Sequence, residues 1–150
     1  MNIVKIYSDG ACLGNPGVGG WASVVQYKDR EYVLKGRESG KTTNNRMELT
    51  AVVEALKRFD KLTGILMEIY TDSQYVKNGI TSWIHSWKKN NWRKSDGKSV
   101  MNVDLWQELD MYAARHKISW HWVRGHTGHP ENEHANKLAQ DQALLAKQGK

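Results

Sequence analysis

Apolar residues recur with two different periods along this 150-residue chain, and the changes of period divide it into strands and helices. Residues 3–8 predict a first strand, followed by a glycine-rich loop over 10–20. Residues 21–27 and 32–36 predict two more strands, with Lys28, Asp29, Arg30 and Glu31 as a short hairpin connection. The period then lengthens. A helix is expected over 45–59, capped by Thr43 or Asn44, with Val52, Ala55, Leu56 and Phe59 as its apolar stripe. Residues 65–71 are nearly all apolar, as in a strand buried on both faces. A short helix over 73–78, ended by Gly79, and two more over 81–89 and 103–114 follow. Ile118, Trp120 and Trp122 alternate with Ser119, His121 and Val123 to mark a fifth strand, and a last helix spans 131–146 before a tail expected to fray. Three consecutive strands and then helix-linked strands imply an α/β protein: one five-stranded mixed sheet flanked by helices. The first, fourth and fifth strands should be parallel. No repeat or linker interrupts the pattern, so residues 1–150 are expected to form a single domain.

Composition narrows the class. With 39% hydrophobic and 25% charged residues, the chain reads as a soluble globular protein. No apolar run approaches the roughly 20 residues of a membrane span, and Met1, Asn2, Ile3 and Val4 lack the character of a signal peptide. The single cysteine, Cys12, excludes an internal disulfide and fits a reducing compartment, so a cytoplasmic location is expected. Without heptads or an exposed apolar stripe, a monomer with no obligate protein partner and no membrane contact is the expectation. The net charge of +6 suits a polyanionic partner. Much of that charge is local: Lys88, Lys89, Arg93, Lys94 and Lys98 stand against Asp96 alone, interleaved with Trp83, Trp87 and Trp92.

Three acids stand at element boundaries. Asp9 closes the first strand and Asp72 follows the fourth, while Glu48 lies one turn before Val52, on the inward stripe of its helix. Parallel strands bring their carboxyl ends to one edge, where open α/β sheets carry their sites. The segment 125–133 leads to the same edge, and the helix after it presents Asn136 where a fourth acid would fit. Clustered acids repel one another, and hard divalent cations such as Mg²⁺ are the usual remedy. The set therefore points to metal-dependent phosphoryl chemistry.

The motifs Tyr7-Ser8-Asp9-Gly10, Cys12-Leu13-Gly14-Asn15-Pro16-Gly17, Thr42-Thr43-Asn44-Asn45-Arg46-Met47-Glu48-Leu49 and Thr71-Asp72-Ser73-Gln74-Tyr75-Val76 occur in this order. Trp83-Ile84-His85-Ser86-Trp87-Lys88-Lys89, Asn102-Val103-Asp104-Leu105-Trp106 and the segment 125–133 complete them. Together they resemble type 1 ribonuclease H, and the basic segment after Trp87 resembles its bacterial form. The resemblance implies the ribonuclease H-like fold and hydrolysis of the RNA strand of RNA–DNA hybrids, leaving 5′-phosphate and 3′-hydroxyl ends. It implies two Mg²⁺ ions per site, replaceable by Mn²⁺, held by Asp9, Glu48, Asp72 and the residue at 136, with Asp9 bridging. His126 would shuttle a proton or aid product release; His85, His116, His121, His129 and His134 are expected to be structural. Cys12, Gly14, Asn15, Asn44, Glu48 and Gln74 would meet the RNA strand, whose 2′-hydroxyls are the handle that distinguishes it from DNA. Asn44 can also cap its helix, and Asn15 can shape a turn. Lys41, Thr43 and Asn102 would form a pocket for a DNA-strand phosphate. Trp83, Trp87, Lys88, Lys89, Trp92, Arg93 and Lys94 would ride along the DNA strand, although Trp87 fits the core equally well.

At position 136 the chain departs from the family, which has aspartate there. An amide has a carboxylate's shape without its charge and offers one acceptor oxygen instead of two. Cleavage is expected to fall by orders of magnitude while hybrid binding survives. With the rest of the motif intact, a deliberate inactivating substitution fits better than a relaxed site that has drifted. A hybrid-binding module without cleavage is the alternative reading, and another nuclease of the same superfold is a more distant one.

Overall fold

A computed structural model describes residues 3–124 and 129–149. Five strands form one sheet in the order β3-β2-β1-β4-β5. β1 (Ile3–Leu13), β2 (Gly17–Tyr27) and β3 (Arg30–Thr42) make an antiparallel meander. β4 (Leu66–Thr71) and β5 (Lys117–Trp122) run parallel to β1, as the helix-linked pattern requires. α1 (Asn44–Lys57) lies on one face of the sheet, and α5 (Pro130–Lys147) covers the β1–β3 half of the other. α2 (Gln74–Asn78), α3 (Ile84–Lys89) and α4 (Val103–Ala113) gather on the α1 side.

The main core is built between the sheet and α1. Val4, Ile6, Met67 and Ile69 meet Leu49, Val52, Val53 and Leu56, with Trp106 and Leu109 of α4 closing the far side. α5 contributes small side chains instead: Ala135, Ala139, Ala143 and Ala146 are all buried. This allows very close packing on β2, where a Cβ at Gly20 would lie 2.3 Å from the Ala139 carbonyl oxygen. Among the described residues no helix is long and apolar enough to cross a membrane.

The structure corrects several boundaries. β1 and β2 run through most of the segment expected as a loop, leaving only a short turn around Asn15, because their antiparallel pairing continues to Leu13 and Val18. Asp9 therefore lies inside β1 rather than at its end. The Lys28–Asp29 turn is two residues long, not four, and both adopt positive φ (52° and 62°). β3 extends to Thr42 as an exposed edge strand without clear alternation. β4 is not buried on both faces: Met67, Ile69 and Thr71 point into the core, while Leu66, Glu68 and Tyr70 are half-exposed. Gly79 does not end a helix. The chain continues through a π-helical turn over Gly79–Trp83 into α3, and Gly79 is required for space, since a Cβ there would lie 2.0 Å from a ring carbon of Trp106.

Candidate active site

The site forms where β1 outruns β4. Parallel pairing of the two strands stops at Tyr7 and Tyr70, so Asp9 projects past the end of β4, beside the Asp72 that follows it. Glu48 arrives from α1, whose first turn is set by Thr43: its Oγ1 accepts from Arg46 N at 3.2 Å. Glu48 approaches so closely because position 10 is glycine. A Cβ there would lie 2.5 Å from the Glu48 backbone nitrogen. Asp72 is held through its backbone, its carbonyl accepting from Trp122 Nε1 at 3.2 Å, while Ser73 caps α2.

The three acids offer oxygens that all lie within 4.8 Å of one another. Asp9 and Glu48 are buried and Asp72 is half-buried. Gly10 N–H is shared between Asp9 Oδ1 and Glu48 Oε1, each at 2.8 Å. The other Glu48 oxygen, Oε2, is buried with no donor among the described residues. Burial raises the Glu48 pKa well above the ordinary glutamate value; the Asp9 charge, a proton-sharing contact with Asp9 and the Asp72 charge add to it, against the Gly10 N–H. Three hard oxygen donors this close, two of them buried, are a group that could hold a divalent cation.

Asn136, half-buried on α5, donates from Nδ2 to Asp9 Oδ2 at 2.8 Å. A carboxylate only accepts, so the amide must present its nitrogen here. The amide thus supplies a positive dipole at a point where a fourth carboxylate would add negative charge. His126 lies outside the described residues.

On one flank, Asn15 Oδ1 accepts the Asn44 N–H at 3.1 Å, tying the β1–β2 turn to the start of α1. Cys12 Sγ lies within 3.4 Å of the Thr42 carbonyl oxygen. Gly14, at φ 88°, needs the left-handed freedom of glycine, and Gln74 is exposed at the start of α2. On the other flank, Lys41 is exposed, and Arg46 joins Thr43 to Asn102 by hydrogen bonds from its backbone and its guanidinium. Further along, Lys88, Lys89, Arg93 and Lys94 are exposed. Trp83 is partly exposed on Tyr75 and Trp87, whereas Trp87 and Trp92 pack against the core. For Trp87, wedged against Trp106 at 5.3 Å between ring centroids, the core role is the one the structure displays.

Sequence reasoning gave no role to Arg46, Tyr75 or Trp122. Arg46 and Tyr75 stood inside quoted motifs, but their partners are distant in sequence. Trp122 carried a signal in its position, one strand-end away from the Asp72 backbone.

The family description RNase H matches residues 1–144. A ribonuclease H of Bradyrhizobium sp. (strain ORS 278) is 53% identical over 150 residues, which is 100% of this chain and 96% of that protein. A ribonuclease H of Rhodopseudomonas palustris (strain BisB5) is 55% identical over 141 residues, 94% of this chain and 92% of that protein. Among solved structures, LC9-RNase H1, a type 1 RNase H with the type 2 active-site motif, aligns with a TM-score of 0.85 at 36% identity, over 96% of this chain and 73% of its own. With a family match over nearly its whole length, relatives above half identity and a shared fold, this chain belongs to the ribonuclease H family.

Proposed function

We propose that the chain is an endoribonuclease fold that binds RNA–DNA hybrids and directs hydrolysis at the RNA strand, with cleavage strongly weakened by Asn136. The Asp9, Glu48 and Asp72 cluster carries this reading, together with family membership. Asp9, Glu48 and Asp72 would hold two divalent cations, Mg²⁺ or Mn²⁺, and the orphaned Glu48 Oε2 supports the fit. When bound, such ions lower the pKa of an attacking water and stabilise the leaving 3′ oxygen.

The chain's own side chains do the rest. Asp9 and Glu48, rigidly placed through the shared Gly10 N–H, fix the donor geometry and offset cation charge. Cys12, Gly14, Asn15, Asn44, Glu48 and Gln74 line the flank assigned to the RNA strand, where Glu48 can accept from a 2′-hydroxyl. Lys41, Thr43 and Asn102 receive a DNA-strand phosphate. Trp83, Lys88, Lys89, Arg93 and Lys94, with Trp87 and Trp92 beneath, extend the contact along that strand. His126 handles a proton or product release. Asn136 leaves one fewer anionic ligand, so an ion on its side is held less tightly. The 150 residues act as one domain and a cytoplasmic monomer without an obligate protein partner; the single cysteine supports the compartment.

The test is cleavage of a labelled hybrid with Mg²⁺ by this chain and by its Asn136→Asp variant, alongside binding in Ca²⁺. Cutting of RNA by the Asn136→Asp variant, with binding but little cutting by this chain, is the expected result. Equal cutting by both would show that the fourth ligand is dispensable. The second reading, a hybrid-binding module, is favoured by the Asn136–Asp9 hydrogen bond, which satisfies Asp9 without a cation; it predicts that Asn136→Asp leaves the chain equally inactive.

A further inference from the structure

Arg46, two residues before Glu48, connects the two elements that supply the proposed phosphate pocket. Its backbone N–H donates to Thr43 Oγ1 and its Nη1 donates to Asn102 Oδ1, both at 3.2 Å. The same guanidinium grips Asp104 in a fork, Nη1 to Oδ1 at 3.1 Å and Nη2 to Oδ2 at 2.7 Å. Asn102 stands at the start of α4 with φ 56°, a left-handed conformation that asparagine tolerates better than most residues. Its Nδ2 donates to Tyr75 Oη at 3.1 Å, and Tyr75 Oη also accepts from Trp106 Nε1 at 3.0 Å. Trp106 is fully buried.

The two ends of this chain of contacts determine every orientation between them. A guanidinium and an indole N–H donate and cannot accept. Arg46 must therefore hold the oxygen of the Asn102 amide, and the nitrogen must face Tyr75. With the amide so turned, Tyr75 Oη accepts from both Asn102 Nδ2 and Trp106 Nε1. One N–H of Asn102 is spent on Tyr75, and the second remains for an external acceptor. Thr43 Oγ1 accepts the Arg46 N–H and keeps its own proton available to donate. The Arg46 guanidinium thus sets the side-chain amide donor, beside the Thr43 hydroxyl and with Lys41 two residues before Thr43.

We infer that Arg46 and Tyr75 are positioning residues for recognition of the DNA strand, locking the Asn102 amide as a donor toward a phosphate. This rests on the reading of Lys41, Thr43 and Asn102 as phosphate ligands. An unpinned amide turns over and presents its oxygen to the anion half the time, so losing the clamp weakens binding rather than bond cleavage. Asp104 keeps the guanidinium in place; its hydrogen bonds from Arg46 hold its carboxyl below the ordinary aspartate range.

Binding of a fluorescently labelled RNA–DNA hybrid and of duplex RNA of the same sequence, both in Ca²⁺, tests the inference. Tyr75→Phe removes the acceptor of the amide, and Arg46→Gln replaces a donor-only group by one that also accepts. Each should weaken hybrid binding about three- to tenfold, part of the value of a hydrogen bond to a charged group. Duplex RNA binding should stay unchanged, and neither substitution should weaken hybrid binding further in an Asn102→Ala background. Equal losses on both duplexes, or a full additional loss in the Asn102→Ala background, would mean a structural effect and overturn the inference. If Asn102→Ala weakens hybrid binding but Tyr75→Phe and Arg46→Gln do not, the pocket stands and the inference falls. If Asn102→Ala itself has no effect, both fall.

Discussion

Replacing Asn136 by aspartate should destabilise the metal-free protein while making it more dependent on Mg²⁺. Asn136 Nδ2 now donates to Asp9 Oδ2 at 2.8 Å. After substitution two carboxylate oxygens face each other at that spacing. Two unit charges at 2.8 Å repel by about 6 kcal/mol at an effective dielectric near 20 and about 1.5 kcal/mol in bulk water. Losing the hydrogen bond to a charged acceptor removes roughly 1.5–3 kcal/mol more. Position 136 is only half-buried, so the side chain can swing toward solvent or share a proton with Asp9, which relieves much of the repulsion. A net loss of about 2–4 kcal/mol results. For a chain of this size that lowers Tm by about 5–15 °C. The assay is thermal unfolding of both proteins in EDTA and across a Mg²⁺ titration. Mg²⁺ at about a hundred times its Kd should return about 2.7 kcal/mol to the aspartate variant and less to the parent at the same concentration. An aspartate variant as stable as the parent in EDTA would refute the electrostatic account of position 136, whatever its activity.

Three further outcomes are expected. Glu48, with its pKa raised by burial and by Asp9, ionises in the unfolded chain near 4.5 but only at higher pH in the fold. Metal-free stability should therefore fall as pH rises above about 4.5, at no more than about 1.4 kcal/mol per pH unit, and Glu48→Gln should flatten that decline in urea unfolding at several pH values; a parent curve as flat as the variant's would refute it. Gly79→Ala places a methyl 2.0 Å from Trp106 and should cost about 3 kcal/mol in a denaturant titration; a wild-type midpoint would show that the π-helical turn yields freely. Lys89 has no carboxylate partner among the described residues, whereas Lys88 lies 3.3 Å from Asp110, so Lys89→Ala should lower the salt slope of hybrid binding by about 0.7–0.9 and Lys88→Ala by less; a parent-like slope for Lys89→Ala would remove Lys89 from the DNA contact.

The architecture was legible because each step rests on a local signal. The Ile118, Trp120 and Trp122 alternation marks β5, and the helical stripe around Val52 marks α1 together with the inward position of Glu48. Glycine misled at three positions. Gly19, Gly20 and Gly79 read as punctuation, yet each sits within regular structure where another chain segment leaves no room for a Cβ. Whether a glycine bends the backbone or admits a neighbour depends on partners such as Ala139 and Trp106, which lie far away in sequence. The polar edge of β3 carried no alternation because little of either face is buried. The same limit hid Arg46. As a charged residue in a helix it looks like solvated surface, and its partner Asp104 is 58 residues away.

Position 136 shows why a site can be identified by its acids and still be misjudged in its energetics. Counted along the sequence, asparagine there is a missing ligand. In the structure it is also a donor aimed at Asp9, so it takes over part of what a cation would do for the cluster. Gly10 does the same for Asp9 and Glu48 through its single N–H. The remaining unmet demand falls on Glu48 Oε2, the buried oxygen without a donor among the described residues. Cation affinity and metal-free stability therefore oppose each other at this site: each donor that quiets the acids reduces what a bound ion can gain. The residues proposed to bind the hybrid, among them Asn102 with its partner Arg46 and the basic segment after Trp87, lie outside this balance. On the proposed reading, that separation would let recognition persist where chemistry is turned down at a single side chain.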